Sequence, residues 1–229
     1  MRILASELNP QQTYKLITGI VVPRPIAWVS TRSPEGVLNV APFSAFTFVS
    51  NKPPMVGVNV GRKAGVMKDT GRNIHATGEY VVHIADASLV GPLHESSVEH
   101  PPEVSEVELL GLQTLPSERI AVPRLAAPPV AMECRLHRAI AFGDTGSEFI
   151  VGEVLVFHLR DGLAVDGKID SVKLDPLCRL GGPHYATLGR VITMRPVAQT
   201  DKTVMPGRDD RGPAGAAAAP DDDREAGGG

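Results

Sequence analysis

The segment from Asn39 to Gly61, NVAPFSAFTFVSNKPPMVGVNVG, decides what the chain can form. Two runs rich in β-forming residues, Val40–Ser50 and Met55–Val60, stand on either side of the tetrapeptide NKPP at positions 51–54. Paired prolines can reverse a chain but cannot continue a central strand. The segment therefore predicts a β-hairpin.

Polar side chains interrupt the apolar pattern of this hairpin at Ser44, Thr47 and Asn59. A polar group that is buried among apolar neighbours must find a hydrogen-bond partner. A bound ligand can supply that partner, so we expect a binding site on this hairpin.

Further β-forming runs lie on both sides of the hairpin. Ile26–Thr31 and Val37–Ala41 are joined by a turn sequence, and Glu79–Ala85 follows later. Pro129–Leu159 holds two long β runs around 142–147, and a last strand is expected at Ala186–Met194. In the first long run, alternation predicts a solvated face that carries Glu133, Arg135 and His137. The chain is therefore expected to be mainly β and largely antiparallel.

Helix signals are short and lie between the β runs. Asn9-Pro10 followed by Gln12 is typical of a capped helix start, and that helix should end at Gly19. Asp69 or Thr70 offers an N-cap for a helix that Gly78 closes. Helices are also expected at Ala87–Ser97 and Pro102–Gly111.

Length and charge limit the class of protein. The 229 residues carry a net charge of −3 and no Lys/Arg block, so we expect neither nucleic acid nor a membrane surface as partner. No leader-like or membrane-spanning apolar run is found, which predicts a cytoplasmic protein. Two distant cysteines, Cys134 and Cys178, predict buried reduced thiols. One domain at 1–199 is expected, with a disordered tail at 200–229.

Common catalytic motifs are missing from the sequence. No dinucleotide fingerprint, P-loop, zincin or nucleophile-elbow motif is found, and the seven histidines show no metal-ligand spacing, so no metal is expected. Only His184, beside a glycine-rich loop, is a candidate functional histidine. Trp28 is more consistent with core packing than with ligand stacking.

A basic segment after the hairpin predicts an anion site. Arg62, Lys63 and Lys68 precede the start of a helix, where free N–H groups and the helix dipole favour negative charge. Together with the polar hairpin, this arrangement suits a planar heteroaromatic ring that carries a phosphate on a flexible arm. FMN has this shape, but the spacing alone does not select it over other phosphorylated ligands.

Several short motifs occur together in a fixed order. They are RPIAWVST (Arg24–Thr31), Gly36, Asn39, APFS (Ala41–Ser44), PPMV (Pro53–Val56), KDTxxNI (Lys68–Ile74), TGEYVV (Thr77–Val82), SEVELLGL (Ser105–Leu112), Glu133-Cys134 and GGxxY (Gly181–Tyr185). Over residues 10–195 this series closely resembles the flavin reductase-like, FMN-binding split-barrel family, which includes flavoredoxin. The resemblance implies a homodimeric split β-barrel with short helices and an antiparallel, Greek-key-like core.

The resemblance also implies where non-covalent FMN would bind. The ring and ribityl chain would be lined by Ala27, Trp28, Val29, Ser30, Thr31, Ser44, Ala45, Phe46 and Thr47, flanked by Asn59, Gly61 and Arg62, with Lys68, Asp69 and Thr70 at the phosphate. Ala45 and Thr47 depart from the family pattern, in which an aromatic residue and Asn often occupy these positions. The small Ala45 leaves the access of substrate to the ring as an open question.

The implied activity is NAD(P)H-dependent reduction of FMN, with reduced flavin handed to a monooxygenase partner. NADH or NADPH would donate the hydride, and His184 is the candidate on the nicotinamide side. A flavoredoxin-type electron carrier that exchanges electrons with a redox-protein partner is the alternative. A protein that binds another ligand, such as haem, or a sensor also remains open.

Overall fold

A computed structural model describes residues 1–63 and 65–195, except for the side chain of Lys63. The described helices and strands all lie in one compact unit, Met1–Val191. A second unit spans Ile192–Gly229, of which only 192–195 are described. The predicted domain end at 199 and the predicted tail at 200–229 lie outside the described residues.

One antiparallel sheet contains the seven long strands. They are β1 (Ala27–Arg32), β2 (Leu38–Phe43), β3 (Phe46–Asn51), β4 (Pro54–Val60), β5 (Glu79–Ile84), β6 (Val130–Phe142) and β7 (Ser147–Leu159). The order across the sheet is β2-β1-β5-β6-β7-β4-β3, so that β1 pairs with β5 and β4 with β7 across long connections. The prediction of a mainly β, antiparallel protein is confirmed.

The two edge strands of this sheet, β2 and β3, are consecutive in the chain. Only Ser44 and Ala45 separate them, although five strands lie between them in the hydrogen-bonded order. A two-residue connection can join opposite edges only if the sheet curls until they approach each other. The sheet is therefore a barrel whose last seam is spanned by the chain itself.

This seam corrects the prediction of one continuous run at Val40–Ser50. Residues up to Phe43 pair with β1, whereas those from Phe46 onward pair with β4. The predicted reversal at 51–54 is confirmed, since Asn51 pairs with Pro54.

Two-residue strands and short helices complete the fold. The short strands are Arg24–Pro25, Arg62–Lys63, Val66–Met67, Thr114–Leu115, Arg124–Leu125, Ala164–Val165, Lys168–Ile169, Cys178–Arg179 and Tyr185–Ala186. The helices are α1 (Pro10–Ile20), α2 (Asp69–Thr77), α3 (Val90–Glu95), α4 (Glu106–Leu109) and α5 (Ser171–Leu174), with 3-10 turns at Ala5–Glu7 and Ala87–Leu89. None of the helices in the described ranges is long and apolar enough to cross a membrane.

Two of the predicted elements are shorter than expected. The helix predicted at Pro102–Gly111 is limited to α4, which Ser105 caps by accepting the N–H of Glu108. The strand predicted at Ala186–Met194 is formed only at Tyr185–Ala186, where it pairs with Cys178–Arg179.

The helix starts also test local sequence signals. The Asn9–Gln12 capping box at α1 is confirmed, with both reciprocal hydrogen bonds present. At α2 the prediction was wrong, because the N-cap is Lys68, whose side chain makes no capping bond. Gly78 does close α2, at φ +72°, a backbone region that favours glycine.

The predicted solvated face of β6 is wrong at Glu133, which is fully buried. Its carboxylate accepts the backbone N–H groups of Glu118 and Arg119 at 2.7 and 2.8 Å and contacts His158 Nε2 at 2.6 Å. Burial acts to raise the pKa of this carboxyl, but these donors outweigh it, so that the pKa is lowered. Glu133 therefore anchors the 116–122 loop over the sheet.

Buried side chains fill both the barrel interior and the space between the sheet and the α3–α4 region. Val29, Tyr80, Val82 and Ile150 belong to the interior cluster. Trp28 belongs to the other cluster, and its indole Nε1 donates to Ser96 Oγ at 2.9 Å. The interpretation of Trp28 as a core residue is confirmed.

Candidate functional site

A cavity of about 540 Å³ lies at the start of α2; we call it the α2 cavity. Its walls include apolar groups of β2 and of the Val66–Met67 strand, and polar groups of α2 and of the 96–106 segment. This size and mixed lining are typical of small-molecule sites. Of the sequence-predicted residues, it brings together Lys68, Asp69 and Thr70.

The α2 N-terminus gives this cavity its positive end. Because Lys68 does not cap the helix with its side chain, the first-turn N–H groups are available to an anion. Lys68 Nζ lies 3.3 Å from a carboxylate oxygen of Glu99, and Arg72 pairs with Asp69. The charges around the cavity are therefore largely balanced, while the helix dipole favours a negative group.

A buried hydrogen-bond network reaches the α2 cavity through Asn39 and Thr70, which line it. Asn39 Nδ2 donates to Thr31 Oγ1 and Thr70 Oγ1 at 3.3 and 3.1 Å, and Asn73 Nδ2 donates to Thr31 at 3.1 Å. The Asn73 Oδ1 atom is buried and has no hydrogen-bond partner among the described residues. Asn39 and Asn73 were not among the predicted site residues, although both stand in the family-like motifs.

Glu106 is a third residue that was not among the predicted site residues. It lines the α2 cavity, is 5 % exposed, and accepts the Val40 backbone N–H at 3.2 Å. Burial raises the pKa of this carboxyl above its ordinary value, and the negative charge of Asp69 acts in the same direction. Its position at the start of α4, within SEVELLGL, was the available signal.

The predicted β1 residues, Ala27–Thr31, are all buried within the chain. Ala27 and Val29 face the barrel interior, and Ser30 Oγ donates to the Pro123 carbonyl. Their side chains therefore pack in the core or hydrogen-bond to neighbouring backbone. Of these residues, Thr31 is linked to the α2 cavity by its hydrogen bond with Asn39.

A second cavity of about 360 Å³ adjoins the first, since Pro42 and Ser97 line both. We call it the arginine pocket, after Arg24 and Arg179, which line it with Tyr185. The predicted residue Ser44 lies here, and its Oγ accepts from Arg24 Nε at 3.2 Å.

The other predicted residues lie outside both cavities. Ala45 and Thr47 are exposed, whereas Phe46, Asn59 and Gly61 are half-buried along the β3–β4 side of the barrel. Arg62 turns away, donating from Nε to the Gly146 carbonyl at 2.9 Å. His184 is exposed and lines neither cavity, although its carbonyl accepts the Leu180 N–H.

The chain is similar to known proteins in both sequence and fold. A family model described as "Flavin reductase like domain" matches residues 19–173. Nitrilotriacetate monooxygenase component B from Bacillus cereus is 41 % identical, with a TM-score of 0.83 over 85 % of this chain and 98 % of that one. The 2-nitrobenzoate 2-nitroreductase NbaA of Pseudomonas fluorescens is 35 % identical, with a TM-score of 0.74 over 86 % and 96 %.

A more distant likeness concerns the fold alone. A protein of Shewanella frigidimarina described as a putative flavin reductase with split barrel domain is 21 % identical and has a TM-score of 0.75, over 86 % of this chain and 100 % of that one. The predicted split barrel is confirmed.

Proposed function

Because the chain belongs to the flavin reductase like family, we propose that it binds FMN non-covalently and reduces it with NADH or NADPH. The observation that carries the proposal is the α2 cavity, in which an uncapped helix N-terminus and Lys68 stand at one end of a partly apolar space. A phosphate suits the charged end, and a planar ring suits the wall formed by Ala41, Pro42 and Phe43.

Particular residues would hold the cofactor. Lys68 and the first-turn N–H groups of α2 would bind the phosphate, while the Asn39–Thr31–Thr70 network fixes two residues of the cavity lining. Glu106 positions the β2 backbone at Val40 beside it. FMN itself supplies the redox chemistry, and the chain supplies binding, orientation and electrostatics. We also propose that the remaining predicted residues, from Ala27–Val29 through Thr47 to Arg62, contact FMN through their backbone groups or from a partner subunit.

Partners are proposed on two grounds. The 41 % identity to a monooxygenase component B supports delivery of reduced flavin to a partner oxygenase. Exposed apolar side chains support a homodimer: Phe48 on β3 is 81 % exposed, and α1 buries none of its residues within the chain.

A nitroaromatic acid is the second candidate electron acceptor. The 35 % identity to a 2-nitrobenzoate nitroreductase supports this choice, and so does the arginine pocket beside the α2 cavity. Such a molecule would take electrons from the same flavin.

Anaerobic spectroscopy tests the proposed reductase directly. We expect the purified full-length protein to bind FMN, and NADH or NADPH to bleach the visible absorbance of the bound flavin. A flavin that only dithionite bleaches would instead indicate the flavoredoxin-type carrier. A protein with no affinity for FMN would contradict both functions and favour another ligand.

Lys68→Ala tests the phosphate end of the α2 cavity. We expect about tenfold weaker FMN binding and nearly unchanged riboflavin binding, because riboflavin lacks the phosphate and a charge-assisted contact is worth about 1.5 kcal/mol at its lower end. Fluorescence titration of both ligands measures this. Lys52→Ala, a lysine in the β3–β4 turn and outside both cavities, is the control. Equal losses for FMN and riboflavin would contradict the assignment.

A further inference from the structure

The arginine pocket combines two guanidinium groups with no acidic side chain. Apolar residues such as Ile26 line it together with Arg24, Ser44, Arg179 and Tyr185, and no Asp or Glu lines it among the described residues. Within residues 1–63 and 65–195, neither arginine lies within 4.0 Å of a carboxylate. Both are half-buried, so solvent screens their charges only in part.

Neutral acceptors fix both guanidinium groups in place. Arg24 donates to Ser44 Oγ and to the carbonyls of Thr18, Val21 and Leu180. Arg179 donates from Nε and Nη2 to the Gly182 carbonyl and from Nη1 to Tyr185 Oη. Each guanidinium has five N–H donors, so these bonds leave one N–H of Arg24 and two of Arg179 for a ligand. The positive charges are thus positioned and not neutralised.

Arg179 is positioned by an aromatic group as well. Its guanidinium carbon lies 4.6 Å from the centre of the Tyr185 ring, and the Tyr185 hydroxyl contacts His94 Nδ1 at 3.0 Å. A stacked and hydrogen-bonded arginine loses little freedom when it binds an anion. This arrangement is suited to anion binding, because the Arg179 side chain is already ordered before a ligand binds.

The α2 cavity differs from this pocket in charge. There Lys68 faces Glu99, and Arg72 faces Asp69, so the cations already have carboxylate neighbours. The two cavities share Pro42 and Ser97, which places the arginine pocket next to the proposed flavin site. A molecule that reaches the flavin from this side would bring its own charge to Arg24 and Arg179.

We propose that the arginine pocket binds the oxyanion of the second substrate, the molecule that exchanges electrons with the flavin. The oxyanion is a phosphate or a carboxylate, since arginine recognises both through paired N–H donors. A nicotinamide dinucleotide would present its diphosphate, and an aromatic acid its carboxylate. The identity of this molecule rests on the proposed function, whereas anion binding by the pocket does not.

The test adds one negative charge to the pocket without removing either arginine. Tyr14 lines the pocket from α1 and is 68 % exposed, so substitutions there leave the core intact. Tyr14→Glu and Tyr14→Gln have nearly the same shape and differ by one charge. Calorimetric titration of the full-length variants measures their affinity for inorganic pyrophosphate and for benzoate. We expect Tyr14→Glu to bind the probe about fivefold more weakly than Tyr14→Gln, or more weakly still.

A second variant tests the arginine itself. Arg179→Gln should weaken binding of the same probe about tenfold, whereas Arg32→Gln, at the exposed end of β1, should leave it unchanged. Stronger binding of pyrophosphate assigns the pocket to a dinucleotide, and stronger binding of benzoate assigns it to an aromatic acid. Equal affinities of the two Tyr14 variants, or no binding of either probe to the unsubstituted protein, would overturn the proposal.

Flavin binding is measured separately on the same variants. We expect the FMN affinities of Tyr14→Glu and Tyr14→Gln to agree, because Tyr14 does not line the α2 cavity. Loss of FMN binding with intact probe binding would count against the proposed function alone. Intact FMN binding without probe binding would count against the arginine pocket alone.

Discussion

Gly152→Ala is expected to destabilise the fold by about 3 kcal/mol or more, near the upper end for overpacked cores. Gly152 lies in β7, paired with Leu136 of β6 and Val56 of β4. A Cβ there would stand 2.0 Å from Tyr80 Oη and 2.6 Å from Tyr80 Cζ. Tyr80 is fully buried, so its ring cannot make room by turning into solvent. Chemical denaturation of the variant and of the unsubstituted protein measures the difference in the free energy of unfolding.

Gly19→Ala is the matched control for this substitution. Gly19 lies in α1, and an added Cβ meets nothing within 4 Å. The same chemical change there should leave stability unchanged or raise it by up to about 1 kcal/mol, because alanine favours helix. A Gly152→Ala variant as stable as Gly19→Ala would show that the Tyr80 ring can give way.

Acid is expected to weaken the fold through His83. This side chain is completely buried between Trp28 and Leu125: Nδ1 contacts the Trp28 carbonyl at 2.9 Å, and Nε2 accepts the Leu125 N–H at 2.9 Å. Burial lowers the pKa of His83 from 6.5 to about 4, although the hydrogen bond to Trp28 opposes this. A proton on Nε2 would also make that atom a donor, so that it would face the Leu125 N–H donor without an acceptor between them.

The sign of the pH effect follows from that lowered pKa. Above pH 6.5 both the folded and the unfolded state hold a neutral His83; as pH falls toward 4, only the unfolded state takes up the proton. Stability from this residue is therefore complete above pH 6.5 and falls by about 3 kcal/mol down to pH 4.

His83→Gln tests this pH dependence. Glutamine can keep one donor and one acceptor without titrating, so the free energy of unfolding should fall less steeply between pH 6.5 and 4 than it does in the unsubstituted protein. His137→Gln, on an exposed position of β6, should retain the steeper fall. Parallel slopes for His83→Gln and the unsubstituted protein would contradict the assignment of the acid effect to His83.

Local structure could be predicted where it depends on residues that are close in sequence. The Asn9–Gln12 box, the reversal at 51–54 and the glycine at 78 depend on a few adjacent residues, and each is present in the structure. Glu133 was misjudged because its partners, the N–H groups of Glu118 and Arg119, lie about fifteen positions earlier. Alternation along a strand does not reveal a loop that folds over it.

The site was only partly predictable for the same reason. Lys68–Thr70 and Ser44 are placed at cavities, but the arginine pocket joins Arg24 to Arg179 across most of the chain. Neither residue stands out in a local window, since single arginines are common. Arg24 stands in a motif that indicated the family and Arg179 stands in none, and only the tertiary fold reveals that their charges meet.

At Ser44–Ala45 the two edge strands of the barrel are connected by two residues of chain and not by paired backbone groups. Elsewhere around the circumference, spacing between strands is set by ladders of backbone hydrogen bonds, which tolerate little change. Among the described residues no such ladder pairs β2 with β3, and the Ala45 carbonyl instead accepts the Asn59 N–H of β4 at 2.8 Å. We therefore expect substitutions at Ser44 or Ala45 to change the spacing between β2 and β3 without altering the strand register of the barrel.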